Sequence, residues 1–161
     1  MGECMAARSA QTDGVVRVHG TCIEICGVGV LLRGPSGSGK SDLALRLVDG
    51  GGRLIADDCT ELSVEDGILT ASAPPTIAGL MEVRGVGILR VPTAATARLG
   101  LVADLVAPEK VARLPEPDRC AFLGVAVRRI DIAPFEASAP AKLRVAVASA
   151  PLAPDEALVQ G

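Results

Sequence analysis

The chain has no tryptophan, no tyrosine, two phenylalanines and one histidine in 161 residues. Proteins that stack nucleic-acid bases need aromatic platforms on a basic surface. Here 16 Lys and Arg face 19 Asp and Glu, the net charge is −3 and the pI is near 5.2, so nucleic acid is not an expected partner. A core short of rings has to be built from Val, Leu, Ile and Ala. With 49% hydrophobic residues that is feasible, and a chain of this size buries roughly two-thirds of its unfolded surface, most simply as one domain.

Long apolar runs are missing as well. No stretch approaches the roughly 20 apolar residues of a membrane helix, so no membrane association is expected. The opening MGECMAARSAQTDG carries Glu3 and has no apolar h-region, and it does not read as a secretory signal. Five cysteines at 4, 22, 26, 59 and 120 are an odd number at irregular spacing, which suits reduced thiols and a cytoplasmic location. In Cys22-Ile-Glu-Ile-Cys26, strand alternation places both thiols on one face, but no second Cys or His pair follows to complete a zinc site.

What is present begins with β-type patterning. Val15 to Ile25 alternates as one strand, Gly27 and Gly29 make a turn, and Val30 to Leu32 is a second strand. GPSGSGKS follows, and SDLALRLV then sets Leu43, Ala44, Leu47 and Val48 on one helical face before a Gly terminator. RLIADDCTELSV reads as strand, two acids, strand, with Glu65-Asp66-Gly67 as the turn into ILTASA and Pro74-Pro75 as its end. MEVRGVGILRV, broken by Gly85 and Gly87, reads as a loop entering a strand. LGLVADLVAP and FLGVAVRRIDIAP are further strands, Glu109 to Asp118 is a surface segment, and Lys142 to Ala148 fits either a short strand or a helix. Strand exceeds helix, which is unusual for a doubly wound phosphate-loop fold.

The pattern G-x-x-x-x-G-K-[ST] is met by Gly34, Gly39, Lys40 and Ser41, with Pro35, Ser36, Gly37 and Ser38 between them. Small residues let successive backbone N–H groups turn inward on phosphate oxygens, and the helix N-terminus adds partial positive charge. Lys40 is then placed for the β/γ-phosphates and the Ser41 hydroxyl for Mg²⁺. The correct strand and helix contexts distinguish this from a flexible Gly/Ser turn. Such a loop serves kinases, ATPases and switches alike, so the reaction has to be read from its neighbours.

Asp57 and Asp58 end the strand after the helix, where acids can face bound phosphates. One carboxylate can hold Mg²⁺ through water while the other takes a proton from an attacking hydroxyl. Without the loop they would read as a solvated turn. On composition alone, His19 reads as a surface residue and Glu82 with Arg84 as a charged turn, although the latter pair can also bring a metal ligand and a cation to the γ-phosphate.

Taken in order, VHGTCIEICGVGVLLRGPSGSGKSDLALRLV, RLIADDCTEL, MEVRGVGIL and FLGVAVRRIDIAP resemble the catalytic domain of the HPr kinase/phosphorylase family. The combination of HG before the loop with ADD and E-[IV]-R-G-x-G-I after it is specific. The resemblance implies an α/β fold with a mixed β-sheet, the P-loop, and helices mainly on one side, resembling the phosphoenolpyruvate carboxykinase nucleotide-binding core. It implies phosphorylation of a serine on the phosphocarrier protein HPr of the sugar phosphotransferase system, with ATP or in some members pyrophosphate as donor, and often the reverse phosphorolysis. Residue by residue, it makes Asp58 the base, Lys40 the stabiliser of the transferring group, and Ser41 and Glu82 Mg²⁺ ligands, with Asp57 acting through water. His19 becomes an active-site residue, and Arg113 in KVARL the match to a catalytic arginine.

The expected organisation is a flexible N-terminus over 1–14, a catalytic domain over 15–148 and an Ala/Pro-rich tail over 149–161. That is a short form without the separate N-terminal domain of longer members. The loop used for dephosphorylation in longer members is Pro-, Gly- and Arg-rich and corresponds here to APFEASAPAK, without Gly or Arg. The C-terminal helices with which long members grip HPr and build hexamers correspond to a shortened stretch. Two other functions stay open at this point: a nucleotide-binding regulatory module without transfer, and a kinase of a different acceptor.

Overall fold

The structure is a computed structural model and describes residues 11, 12, 14–75 and 78–149. The expected N-terminal segment over 1–14 and tail over 149–161 lie mostly outside the described residues, apart from Gln11–Thr12, Gly14 and Ser149. The strands are β1 (Gln11–Thr12), β2 (Val15–His19), β3 (Thr21–Ile25), β4 (Val28–Arg33), β5 (Arg53–Ala56), β6 (Cys59–Glu65), β7 (Ile68–Ser72), β8 (Leu80–Val83), β9 (Gly87–Arg90), β10 (Thr96–Leu105), β11 (Arg119–Phe122) and β12 (Val125–Ile132). The helices are α1 (Lys40–Asp49), directly after the phosphate-loop sequence, and α2 (Ala139–Ala148).

One sheet runs β1-β2-β6-β7-β10-β4-β3-β5, with β12 added to β10 and β11 to β12. β4, β10 and β12 are parallel neighbours, while β3 is antiparallel to both β4 and β5. It follows that β4, β5, β10 and β12 all end at the same edge. The sheet also curls. β2 runs into β3 and β5 runs into β6, yet β2 pairs with β6 and β3 with β5, so a long two-stranded ribbon bends and links the two ends of the sheet. Gly20 is the bend in one strand: its N–H donates to the Asp58 carbonyl at 3.0 Å, and an added Cβ would sit 2.9 Å from both Leu31 Cδ1 and the Leu32 carbonyl. Only glycine fits that approach.

Two apolar clusters divide the core. Leu43, Ala44 and Leu47 of α1 and Ala139 and Leu143 of α2 pack with Ile23, Val30, Leu32, Leu101 and Ala103 on one face. On the other face strand residues alone meet, including Val18, Leu31, Leu62, Leu99, Val102 and Phe122. Both described helices thus cover one side, and the curl closes the other. The register of β10 shifts between Leu99 and Leu101, so Ala97 and Leu99 before the bulge face the strand-only cluster while Leu101 and Ala103 after it face the helix-covered one.

Three local expectations need correction. Val15 to Ile25 is two strands, because the close approach at Gly20 turns the chain. MEVRGVGILRV is a separate β8–β9 hairpin with Met81 facing Leu89, since Arg84–Val86 supply its turn. Cys22 and Cys26 do not share a face: β3 ends at Ile25, leaving Cys26 exposed in the turn at φ 51° while Cys22 is fully buried. Burial pushes the Cys22 thiol up to about 12, so it stays protonated. The segment after Pro134 resolves to helix, beginning at Ala139.

Arg33, the last residue of β4 before the loop, is nearly buried and forks onto Asp104 of β10 with bonds of 2.7 and 2.9 Å. Its guanidinium carbon lies 5.9 Å from the Phe122 ring centroid. Arg129 of β12 pairs with the same Asp104 and with Asp118 and Asp131 at 2.8 and 2.9 Å. Burial opposes the Arg129 charge, but these acceptors outweigh it and push its pKa up. Asp104 therefore serves two cations on its flanking strands. Asp104→Ala is expected to cost about 2–3 kcal/mol, somewhat below a fully buried pair, and to lower Tm by roughly 5–10 °C for a domain of this size, read by thermal unfolding; Asp104→Asn should lose less.

Candidate active site

The edge at which β4 and β5 end holds an open cleft of ≈ 490 Å³ lined by loop residues Ser36, Gly37, Gly39, Lys40 and Ser41, by Asp57 and Asp58, and by Glu82 and Arg84 of the hairpin. Asp42, Leu45, Val83 and Phe135 complete the wall. Brought together from the sequence are therefore the loop, both aspartates and Glu82.

The loop leaves β4 at Gly34 and enters α1 through Gly39, whose φ of 104° is left-handed and disfavours a side chain. Lys40 opens the helix and is 6% exposed, its ammonium donating to the carbonyls of Gly34 at 2.7 Å and Pro35 at 3.1 Å. The cation is thus held across the mouth of the loop by its own backbone. Those contacts to neutral carbonyls are ones a phosphate oxygen, being charged, can replace with a stronger bond.

Ser41 and the two acids are joined by one buried residue. Thr21 begins β3 directly after the Gly20 bend and is 0% exposed. Its hydroxyl donates to Asp57 Oδ1 at 3.1 Å and accepts the Asp58 N–H at 3.0 Å. Ser41 Oγ donates to the same Asp57 Oδ1 at 3.1 Å, and the Glu82 N–H points to Asp57 Oδ2 at 3.4 Å. Asp57 is therefore bound into the loop and the hairpin at once. Asp58 has the left-handed φ of 66°, which turns its side chain away from that network. The Asp58 carboxylate is 69% exposed, with Oδ1 3.6 Å from His19 Nδ1. Adjacent acids thus have different surroundings, one engaged and one open.

Ser41, Asp57 and Glu82 offer only oxygen donors, the set a hard cation such as Mg²⁺ accepts. Among the described residues no group of three or more His, Cys, Asp or Glu forms a metal cage. A cation here would need further oxygens from phosphate or water, which is the habit of Mg²⁺. Cys59, next to Asp58, has its thiol pushed up by burial, a state unsuited to a nucleophile.

Arg113 lies elsewhere, exposed on the segment after the short 3-10 turn Pro108–Lys110, and does not line the cleft. Arg84, in the turn of the hairpin, does line it. Thr21 and Phe135 carried no readable signal: a threonine in an alternating strand looks structural, and its role follows from the bend that turns it toward the aspartates. Among the described residues no helix is long and apolar enough to cross a membrane.

Comparison with known proteins places these features. Residues 11–136 match the family described as the HPr serine kinase C-terminal domain. The HPr kinase/phosphorylase of Geobacillus sp. is 49% identical over 96 residues, covering 55% of this chain and 31% of that protein. The HPr kinase/phosphorylase of Bacillus pumilus is 53% identical over 77 residues, covering 47% of this chain and 25% of that protein. The chain thus spans about a third or less of the length of these curated relatives. The solved structure of the HPr(Ser) kinase/phosphatase from Coxiella burnetii superimposes with a TM-score of 0.73 at 30% identity, covering 82% of this chain and 88% of that chain. With the match running from β1 to just beyond β12 and including every residue of the loop and both aspartates, the chain belongs to the HPr serine kinase C-terminal domain family.

Proposed function

We propose that residues 15–148 form a protein-serine kinase domain that transfers the γ-phosphoryl group of ATP to a serine of an HPr-like phosphocarrier protein with the help of Mg²⁺. The observation that carries this is the division of labour between neighbouring acids: Asp57 is tied to Ser41 and Thr21, whereas Asp58 is turned into the open beside His19. A site that only held nucleotide would have no need of the second arrangement. The mixed sheet with both described helices on one face supports the reading; in it Gly34–Ser41 would serve as the phosphate loop of a core like that of phosphoenolpyruvate carboxykinase.

When bound, ATP supplies the phosphoryl group and Mg²⁺ neutralises its charge. The backbone of Gly34–Ser41 cradles the phosphates. Lys40 exchanges its two carbonyl partners for phosphate oxygens and stabilises charge on the transferring group. Ser41 and Glu82 would hold the cation, with Asp57 supporting it through water. Asp58 accepts the proton of the acceptor serine, and by microscopic reversibility returns it when the reaction runs backward. His19 orients the Asp58 carboxylate. Arg84 lines the cleft beside this chemistry, whereas Arg113 does not line it and is given no step.

Incubation with γ-labelled ATP, Mg²⁺ and the HPr of the same cell is expected to label one HPr serine. Normal ATP binding with no label would favour a nucleotide-binding regulatory module, and label on another protein would favour a different acceptor. Asp58→Asn is expected to fold normally, because asparagine tolerates the left-handed backbone, and to bind ATP unchanged while transfer falls by about 10²- to 10⁴-fold.

The network predicts a second result. Thr21→Val removes a buried donor and acceptor without changing shape, and is expected to cost about 1–3 kcal/mol in thermal unfolding and to slow transfer by releasing both aspartates. Thr21→Ser, which retains the hydroxyl, should restore transfer even if stability is only partly regained.

A further inference from the structure

We infer that Phe135 is the platform on which the base of a bound nucleotide stacks; the inference rests on the nucleotide-binding reading of the loop. The chain has two phenylalanines and no other aromatic side chain except His19. Phe122 is buried in the core, while Phe135 is 70% exposed and forms part of the cleft wall. Exposing one of two rings forgoes a substantial part of what a ring contributes when buried. A partner that covers it would recover that contribution.

The ring is held rather than loose. Arg46 of α1 donates to the carbonyls on either side of it, Pro134 and Glu136, and pairs with Asp42 at 2.9 Å. Lys142 of α2 bonds Glu136 at 2.9 Å. Both helices therefore fix the turn that carries the ring. A Cβ added to Gly39 would lie 2.8 Å from Phe135 Cζ and 3.1 Å from Cε1, so the ring meets the loop through its edge. The rest of the ring is exposed in the cleft wall.

The order of strands says which end of a nucleotide lies there. Across the edge the strands run β5, β3, β4, β10, β12, with the loop leaving the middle one. Asp57 and Asp58 follow β5 on one flank, and Phe135 follows β12 on the other. Phosphates on the loop with their reacting end toward the acids would direct the nucleoside toward β12. Ligands commonly lie across the carboxyl ends of parallel strands in this way. Stacking needs no hydrogen bonds and tolerates any base, so the platform would serve nucleotides as a class.

The test compares a ligand with a base and one without. In the presence of Mg²⁺, calorimetry of Phe135→Ala is expected to show ADP binding weakened by about 5- to 100-fold and pyrophosphate binding unchanged. Equal loss for both ligands would mean that the ring only shapes the loop at Gly39, and no loss for either would mean that it stacks on nothing; either result overturns the inference. So would a wild-type protein that binds pyrophosphate but not ADP. Phe135→Trp gives an independent reading, because the chain has no other tryptophan and no tyrosine: ADP should quench its emission and pyrophosphate should not, and identical responses would again overturn the inference. Failure to label HPr alongside a base-dependent signal would sink the kinase reading and leave the platform standing; the opposite pair of results would do the reverse.

Discussion

Thr21 is buried where two paired strands change direction together, and its single hydroxyl engages both aspartates that follow the second of them. A hydroxyl can donate once and accept twice, so spending the donor on Asp57 and an acceptor site on the Asp58 N–H leaves little freedom in either residue. The bend that makes this possible is secured by Gly20, through its own N–H to Asp58 and through the Thr60 hydroxyl on its carbonyl at 3.0 Å. Were the ribbon to run straight, β2 and β6 would carry His19 and Asp58 past the loop instead of up to it. Site geometry and sheet curvature are here one constraint.

The mixed topology has an electrostatic consequence. Parallel strands ending together at one edge collect the Arg33–Asp104–Arg129 network just beneath the loop, with the acids Asp57, Asp58 and Glu82 above and to one side. Arg33 and Arg129 are committed to carboxylates, so their charge is largely compensated before any ligand arrives. Lys40 donates to the neutral carbonyls of Gly34 and Pro35 and is the cation of the loop with most to gain from an anion. In the proposed nucleotide site, selectivity for phosphate over other anions would come from the backbone cradle, and not from a diffuse positive field.

Much of this could be read along the chain because the informative signals are local. The phosphate loop, the amphipathic face of α1, the Glu65-Asp66-Gly67 turn and the Asp57-Asp58 break between strands each depend on a few consecutive residues. What could not be read depends on contacts between distant ones. Gly20 looks like any glycine in an alternating strand until Leu31 and Leu32 are seen to press against it. The β8–β9 hairpin was hidden because its glycines suggest a loop, whereas Gly85 at φ 88° makes the turn and Gly87 begins the returning strand. The strand that carries Cys22 ends at Ile25, one residue before Cys26, and the alternation along the sequence does not show that end. Arg113, which the resemblance implies as a match to a catalytic arginine, sits in a segment with no periodic signal and does not line the cleft. Phe135 was invisible for a different reason: one exposed ring in a Pro- and Ala-rich stretch gains meaning only from the strand order that sets it opposite the acids.

That opposition bears on the choice of donor and on direction. In the proposed mechanism proton transfer through Asp58 would be the same in both directions, so the residue that starts transfer to serine would also assist its reversal, and chemistry at the acids would not favour one over the other. What can differ is how firmly each phosphate compound is held. On that mechanism the loop, Lys40 and the residues that would hold the cation would act on any polyphosphate, with or without a nucleoside. A contact at Phe135 acts only on those that carry a base. Each 1.4 kcal/mol gained there multiplies the preference for nucleotide over pyrophosphate by about ten, leaving the transfer step itself untouched, because the ring is on the far flank from the transferring group. If Phe135 stacks on a base as inferred, APFEASAPAK would have a physical reading beyond its lack of arginine: a contact at this edge would favour a donor that carries a nucleoside over one that does not.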